Sequence, residues 1–236
     1  MRTAILAMLA LALADSVFGQ SAAPITVAAV QTGASQPKWS VTNTGSTTVT
    51  AFALTYALPV PQGSNVAGAD ATILYDAATE PLANKPVPPG QTVTLPYGPS
   101  SAGVGQALPQ VRAAVLADGT AWGDSLWCAR IARRRGYMEK YLRASITELM
   151  QASSAGVADR SQLSSQFQAA LAAETAAAVD ADDRACATSV RGVILRNLQQ
   201  ARTGNLVLAP VNLVLQHEID AAQLRLSAIL AYGGGK

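Results

Sequence analysis

The stretch Val111–Arg135, VRAAVLADGTAWGDSLWCARIARRR, changes period in its middle. Val111, Ala113 and Val115 alternate as on a half-buried strand, and Ala117-Asp118-Gly119-Thr120 follows. Asp-Gly between two short runs is hairpin chemistry, because it supplies the positive-φ positions that a tight turn requires. Trp122 then falls on the closing strand. From Ser125 the grammar is different. Trp127, Ile131, Met138, Leu142, Ile146 and Leu149 recur in steps of three, four and seven, which places them on one face of a helix. Asp124 or Ser125 suits the N-cap. Ser153 to Gly156 ends the run, so a helix of about 27 residues, roughly 40 Å long, is expected.

Toward the N-terminus the period stays at two. Ile25 to Ala29 reads as a first strand. In Lys38-Trp39-Ser40-Val41-Thr42-Asn43, Trp39 and Val41 point one way and the polar residues the other. Asn43 to Ser46 carries turn residues. Thr47 to Leu58 resumes with Phe52, Leu54, Tyr56 and Leu58 on one face, so these two runs are expected to pair as a hairpin. Thr72 to Tyr75 is a short strand. Pro88-Pro89-Gly90 is a firm turn, after which Val93, Leu95 and Tyr97 alternate inward. About seven short strands over roughly 100 residues are the pattern of an immunoglobulin-like sandwich.

The runs VTNTGSTTVTAFALTY, PPGQTVTL and AVLADGTAWGD resemble the Ig-like modules of exported bacterial proteins, over about Ile25 to Asp124. That resemblance implies an interaction or scaffolding module of the cell envelope and transfers no catalytic residue.

Toward the C-terminus, Asp159 opens a second helix with Leu163, Phe167 and Leu171 as its stripe. Cys186, Val190, Ile194 and Leu198 form another stripe, but Val190 lies ~27 positions beyond Leu163, about half a turn out of phase on an ideal helix. A break near Asp180 resolves the conflict, with Asp180 as cap and Asp183 three residues on. One long helix that changes partner midway is the alternative. Gly204 suits a C-terminal cap and Pro210 a first helical turn. Val211, Leu215, Ile219, Ala222, Leu226 and Ile229 continue a clean stripe. The expected layout is therefore α+β in two parts: an all-β Ig-like sandwich over 20–124, an α-helical bundle of three or four helices over 125–232, and a short tail at 233–236.

The first residues read as an export signal. Arg2 precedes an apolar run from Ala4 to Ala14, and Val17-Phe18-Gly19 offers small residues for a peptidase. Cleavage is expected after Gly19, giving a signal peptide over 1–19, with Ala23 as the second site and an uncleaved anchor as the alternative. The expected location is periplasmic or extracellular. In an exported chain the two cysteines, Cys128 and Cys186, invite a disulfide. Closing a loop of about 60 residues would stabilise by roughly 4 kcal/mol on the chain-entropy argument.

Composition narrows function. Of 236 residues, 50% are hydrophobic and 14% charged, with net charge +2, which gives nucleic acid no basic surface to bind. His217 is the sole histidine; His217-Glu218 opens like a zinc-protease motif, but position 221 is Ala, and no metal or cofactor set is completed. Asp180, Asp182 and Asp183 lack the Gly and Glu of a calcium loop, since Ala185 and Arg191 stand there. They read as helix-start carboxylates. Arg133-Arg134-Arg135 is the densest basic run; it fans around the helix, as a solvated face with one Arg at the junction of the halves, or as a partner surface. Trp122 and Trp127 flank that junction, either locking sandwich to helix or stacking on a partner. The expectation is a non-enzymatic envelope protein, an adaptor or binding module for a protein or glycan. The alternatives are a hydrolase-type enzyme with a dispersed site at the junction, which requires a cleft with convergent polar groups, and a structural oligomer assembled through the helices, which requires an apolar helix face left uncovered.

Overall fold

A computed structural model describes residues 22–30, 38–57, 70–95, 109–200 and 210–232. The expected signal peptide and cleavage site, Leu58, Tyr97, Gly204 and the 233–236 tail lie outside these residues. The layout is α+β: strands to Gly123, helices from Ser125.

Seven strands fall among the described residues: β1 (Ile25–Val30), β2 (Lys38–Asn43), β3 (Val49–Ala57), β4 (Asp70–Asp76), β5 (Thr92–Thr94), β6 (Gln110–Leu116) and β7 (Ala121–Gly123). They form two antiparallel sheets, ordered β1-β2-β5 and β4-β3-β6-β7. The expected hairpin of β2 with β3 is therefore wrong. The chain crosses between sheets at Asn43, which is buried and fully engaged. Its Nδ2 donates to the carbonyls of Thr47 (2.9 Å) and Val87 (2.7 Å), and its Oδ1 accepts from the Gly45 N–H (2.9 Å). A turn held this way carries β3 to the other layer, where Val49 meets Val87. The two sheets share a core of Ile25, Trp39, Val41, Phe52, Leu54, Tyr75 and Leu95, among others. Phe52 and Tyr75, opposite each other on β3 and β4, stack with ring centroids 4.6 Å apart.

The other face of the four-stranded sheet is also covered. Ala51, Ala53, Ala113 and Val115 pack against Ile131, with Trp127 and Cys128 at the edge. Small residues on that face let a helix approach the backbone closely. Strand β3 is consequently buried on both sides, which is why its residues from Val49 to Thr55 are all inaccessible.

Four helices complete the chain: α1 (Ser125–Ser154), α2 (Arg160–Ala177), α3 (Ala181–Gln200) and α4 (Val211–Tyr232). Asp124 caps α1, its Oδ1 accepting the Leu126 N–H at 2.8 Å. Gly123 just before it has φ +102°, and a Cβ there would stand 2.2 Å from the Arg112 carbonyl oxygen. Only glycine lets the chain leave the sheet at this angle. Asp159 caps α2 through the N–H groups of Ser161 and Gln162. The helix does break near Asp180. Asp180 Oδ1 accepts the Asp183 N–H (2.8 Å) while Asp183 Oδ2 accepts the Val179 N–H (3.1 Å), a reciprocal cap. Helix α3 packs between α1 and α2, and α4 lies mainly along α1, touching α3 little. Most of the stripes read from the sequence line one core, containing Met138, Leu142, Leu163, Phe167, Cys186, Val190, Leu215 and Ile219, whereas Trp127 and Ile131 of the α1 stripe face the sheet.

Candidate functional site

Three places join charge to burial. The first is the seam between sandwich and bundle. Arg135, only 4% exposed, reaches from α1 into the end of the four-stranded sheet. Its Nε and Nη2 donate to the two carboxylate oxygens of Asp76 (2.9 and 3.0 Å), Nη2 also to Thr50 Oγ1 (3.1 Å), and Nη1 to the Tyr232 carbonyl (2.6 Å). Asp76 additionally accepts the Ala78 N–H at 2.9 Å. One guanidinium thus ties β3, β4, α1 and α4 together. A two-pronged Arg–carboxylate pair with every guanidinium nitrogen engaged is the geometry in which a buried charge is tolerated.

The second place is the α1–α3 interface. Arg130 grips Asp182 with Nε and Nη2 (2.7 and 3.0 Å), and Arg134 adds a third donor at 3.0 Å. Arg130 first, then Arg134, holds the Asp182 carboxyl below its ordinary value against burial, which acts to raise it. Arg133 stands 3.5 Å from Asp180, and Tyr137 and Tyr141 donate to Asp180 (3.1 Å) and Asp183 (2.7 Å). Burial would raise the Asp183 carboxyl, but Tyr141, the Val179 N–H and Lys140 together hold it low. The basic run of α1 and the acidic start of α3 therefore answer each other. Farther along, Arg191, 1% exposed, bridges Glu148 of α1 (2.6 and 2.8 Å) and Glu174 of α2 (2.8 and 3.0 Å) over the ring of Phe167.

The expected Cys128–Cys186 disulfide is absent, and both thiols are free. Cys128 Sγ faces the Trp122 carbonyl (3.5 Å) at the sheet edge, whereas Cys186 Sγ faces the Arg134 carbonyl (3.7 Å) inside the bundle. Six helical residues separate Cys128 from Arg134, about 9 Å along the axis, which is too far for a bridge. Burial pushes the Cys186 thiol up to about 11, and burial followed by the Asp124 charge raises that of Cys128. Cys128 opens on a cavity of about 660 Å³ between the β6–β7 turn, α1 and the end of α4.

Trp127 is half-buried against the alanine face of the sheet, with the Arg130 guanidinium 5.1 Å from its ring centroid. Trp122 is half-buried on β7. Leu126 beside Trp127 is 79% exposed, the Arg133 side chain 50%, and Val179 at the α2–α3 turn is open to solvent as well. Leu126, Arg130 and Arg133 are spaced four and three apart, so one outward face of α1 carries them together.

The third place was not read from the sequence. Because α4 leans on α1 and touches α3 little, a groove of about 370 Å³ remains between α3, α4 and the segment Glu80–Ala83 of the sandwich. Glu218, only 3% exposed, lies at one end, its Oε1 accepting from Asn197 Nδ2 at 2.8 Å. Burial raises its carboxyl above the ordinary range, opposed by Asn197 and weakly by His217. Arg225 lies at the other end. Its Nε donates to the Thr79 carbonyl (3.2 Å) and Nη2 to Ser189 Oγ (3.4 Å), and burial is the main influence on it, weakening its hold on its proton. His217 itself is exposed at the groove edge. Among the described residues no cluster of three or more His, Cys, Asp or Glu is placed to hold a metal, and no helix is long and apolar enough to cross a membrane. No known family, curated protein or solved structure matches this chain.

Proposed function

We propose that this protein is an exported, non-enzymatic binding module of the cell envelope, an immunoglobulin-like sandwich carried on a helical bundle, which engages a protein or glycan partner. The observation that carries this reading is the outward face of α1 at the seam. There Leu126 is 79% exposed beside Trp127, with Arg130 stacked on the indole and Arg133 half in solvent. An aromatic–Arg pair with an exposed aliphatic side chain on a rigid element is the chemistry of an interaction hot spot. The Arg135–Asp76 lock supports the reading, because it fixes the angle at which that face is presented.

The test is in-cell crosslinking of the tagged protein in the envelope fraction, wild type against Leu126→Asp/Arg133→Glu. One reproducible partner, captured by the wild type and lost in the double variant, is expected. A monomer that captures nothing, or a capture insensitive to both substitutions, overturns the proposal. N-terminal sequencing of the exported protein should begin at Gln20.

The reading as an oligomer draws on a separate observation: Leu213 and Leu224, eleven positions apart on one side of α4, are both exposed, with His217 and Asp220 between them. A solution mass above that of one chain, returned to one chain by Leu224→Glu, would favour it. The enzymatic alternative requires convergent polar groups, but in the α3–α4 groove the pairs Ser189–Arg225 and Asn197–Glu218 stand at opposite ends.

A further inference from the structure

The α3–α4 groove has an apolar floor of Leu142, Val190 and Ile194, with Leu82 and Val193 at its rim, Glu218 and Asn197 toward one end, Arg225 and Ser189 toward the other, and Glu80 and His217 also lining it. Glu218 and Arg225 are seven residues apart on α4, two turns on the same side, or about 10 Å. Their contacts on α3, Asn197 and Ser189, are eight residues apart in the opposite order, so the two helices run antiparallel and frame a slot with two distinct ends.

The ends differ in what they lack. Asn197 already donates to Glu218. Arg225 has only a backbone carbonyl and a long contact to a hydroxyl, and among the described residues no carboxylate lies within ion-pair distance of it. The acid whose charge acts on it is Glu80, which lines the same groove from the sandwich side and is open to solvent. Among the described residues, Arg135 and Arg191, both more deeply buried, are matched by carboxylates. A guanidinium withdrawn from water in an apolar slot gains most from an anion that brings its own apolar surface.

We infer that this groove is a binding site for a small amphipathic carboxylate, held by its head group at Arg225 and Ser189 while its apolar body lies on Leu142, Val190 and Ile194 toward Glu218 and Asn197. The site is independent of the α1 face proposed above, and either can fail without the other.

The test is titration calorimetry on the purified exported chain with octanoate, octylamine and 1-octanol as probes. Octanoate is expected to saturate at one per chain. Octanol, sharing the tail without the charge, should bind at least tenfold more weakly, and octylamine should not bind measurably. Arg225→Gln should weaken octanoate at least tenfold and bring it level with octanol. Val193→Trp, at a partly exposed position on the groove wall, should block both octanoate and octanol and does not depend on how Arg225→Gln folds. Equal affinity for octanoate and octanol, retained affinity in Arg225→Gln with the fold intact, binding that survives Val193→Trp, or no saturable binding of octanoate at millimolar concentration each overturns the inference.

Discussion

Helix α3 has two sides, and they treat charge in opposite ways. Against α1 and α2 its buried charges meet their opposites: Asp182 with Arg130 and Arg134, Asp183 with Lys140 beside the Tyr141 hydroxyl, Arg191 with Glu148 of α1 and Glu174 of α2. Against α4 a buried carboxyl and a half-buried guanidinium stand two turns apart, each hydrogen-bonded only to neutral groups. The first arrangement specifies how helices pack. The second leaves electrostatic capacity unused, which is what a binding site has before its ligand arrives. The difference shows that burial of charge alone does not separate scaffold from site; the identity of the neighbours does.

Breaking the paired side should have the larger consequences. Arg135→Met leaves Asp76 buried with its backbone contact but no cation, and a loss of about 3–5 kcal/mol in urea unfolding is expected. Arg191→Met should cost less, roughly 2 kcal/mol, because Glu148 and Glu174 both retain access to water. Asp182→Asn should lose roughly 1–2 kcal/mol at neutral pH, since Arg130 is partly solvated. Its pH dependence sharpens the point. A carboxyl held low in the folded state contributes stability that is present above the ordinary carboxyl value of about 4 and disappears as pH falls through the folded value. The wild type should therefore lose more stability on acidification than Asp182→Asn.

The unpaired side should respond with the opposite sign. Glu218 is held high by burial, so the folded state binds its proton more tightly and stability falls as pH rises from the unfolded carboxyl value through the folded one. Glu218→Gln keeps an acceptor for Asn197 and removes the charge. It should leave the chain equally or slightly more stable at pH 7 and flatten that slope in chemical denaturation. A clear loss at pH 7 would show that the Glu218 charge is compensated after all. The smallest effect concerns the thiols. Alkylation in denaturant without reductant should add two labels per chain, whereas in the native state Cys186 should stay unlabelled.

Much of the fold is legible from local chemistry. The Asp118-Gly119 turn, the Asp124 and Asp159 caps and the helix break at Asp180 all follow from side chains that act within four residues of themselves. The helical phase slip between Leu163 and Val190 points to a break but also fits one long helix that changes partner, and the Asp180–Asp183 caps decide for the break. Alternation in Lys38–Asn43 and Val49–Ala57 shows which faces are buried but not which strand lies alongside, so the pairing of β2 with β3 was misread. Cysteine parity likewise carries no helical register: the thiols lie on two different helices, as expected, but at different heights along α1. The groove left no trace in sequence because its contacts, Asn197 with Glu218 and Ser189 with Arg225, span 21 and 36 residues. The signal that existed was Glu218 itself, directly beside Ile219 on the stripe of α4, a charged residue at the border of an apolar face.

Arg135 has one acceptor that is distant in time as well as in sequence. Its Nη1 bonds the carbonyl of Tyr232, 97 residues later, at the close of α4. During synthesis the sandwich and α1 emerge long before that carbonyl exists. The Arg135–Asp76 pair can form early, but it is shielded from water on its bundle side only when the final turn of α4 docks. A chain nicked or truncated within that turn loses both the acceptor and part of the cover of a buried charge. The junction therefore reports on the integrity of the far end of the polypeptide, so that proteolysis at the last helix is felt at the heart of the sandwich contact.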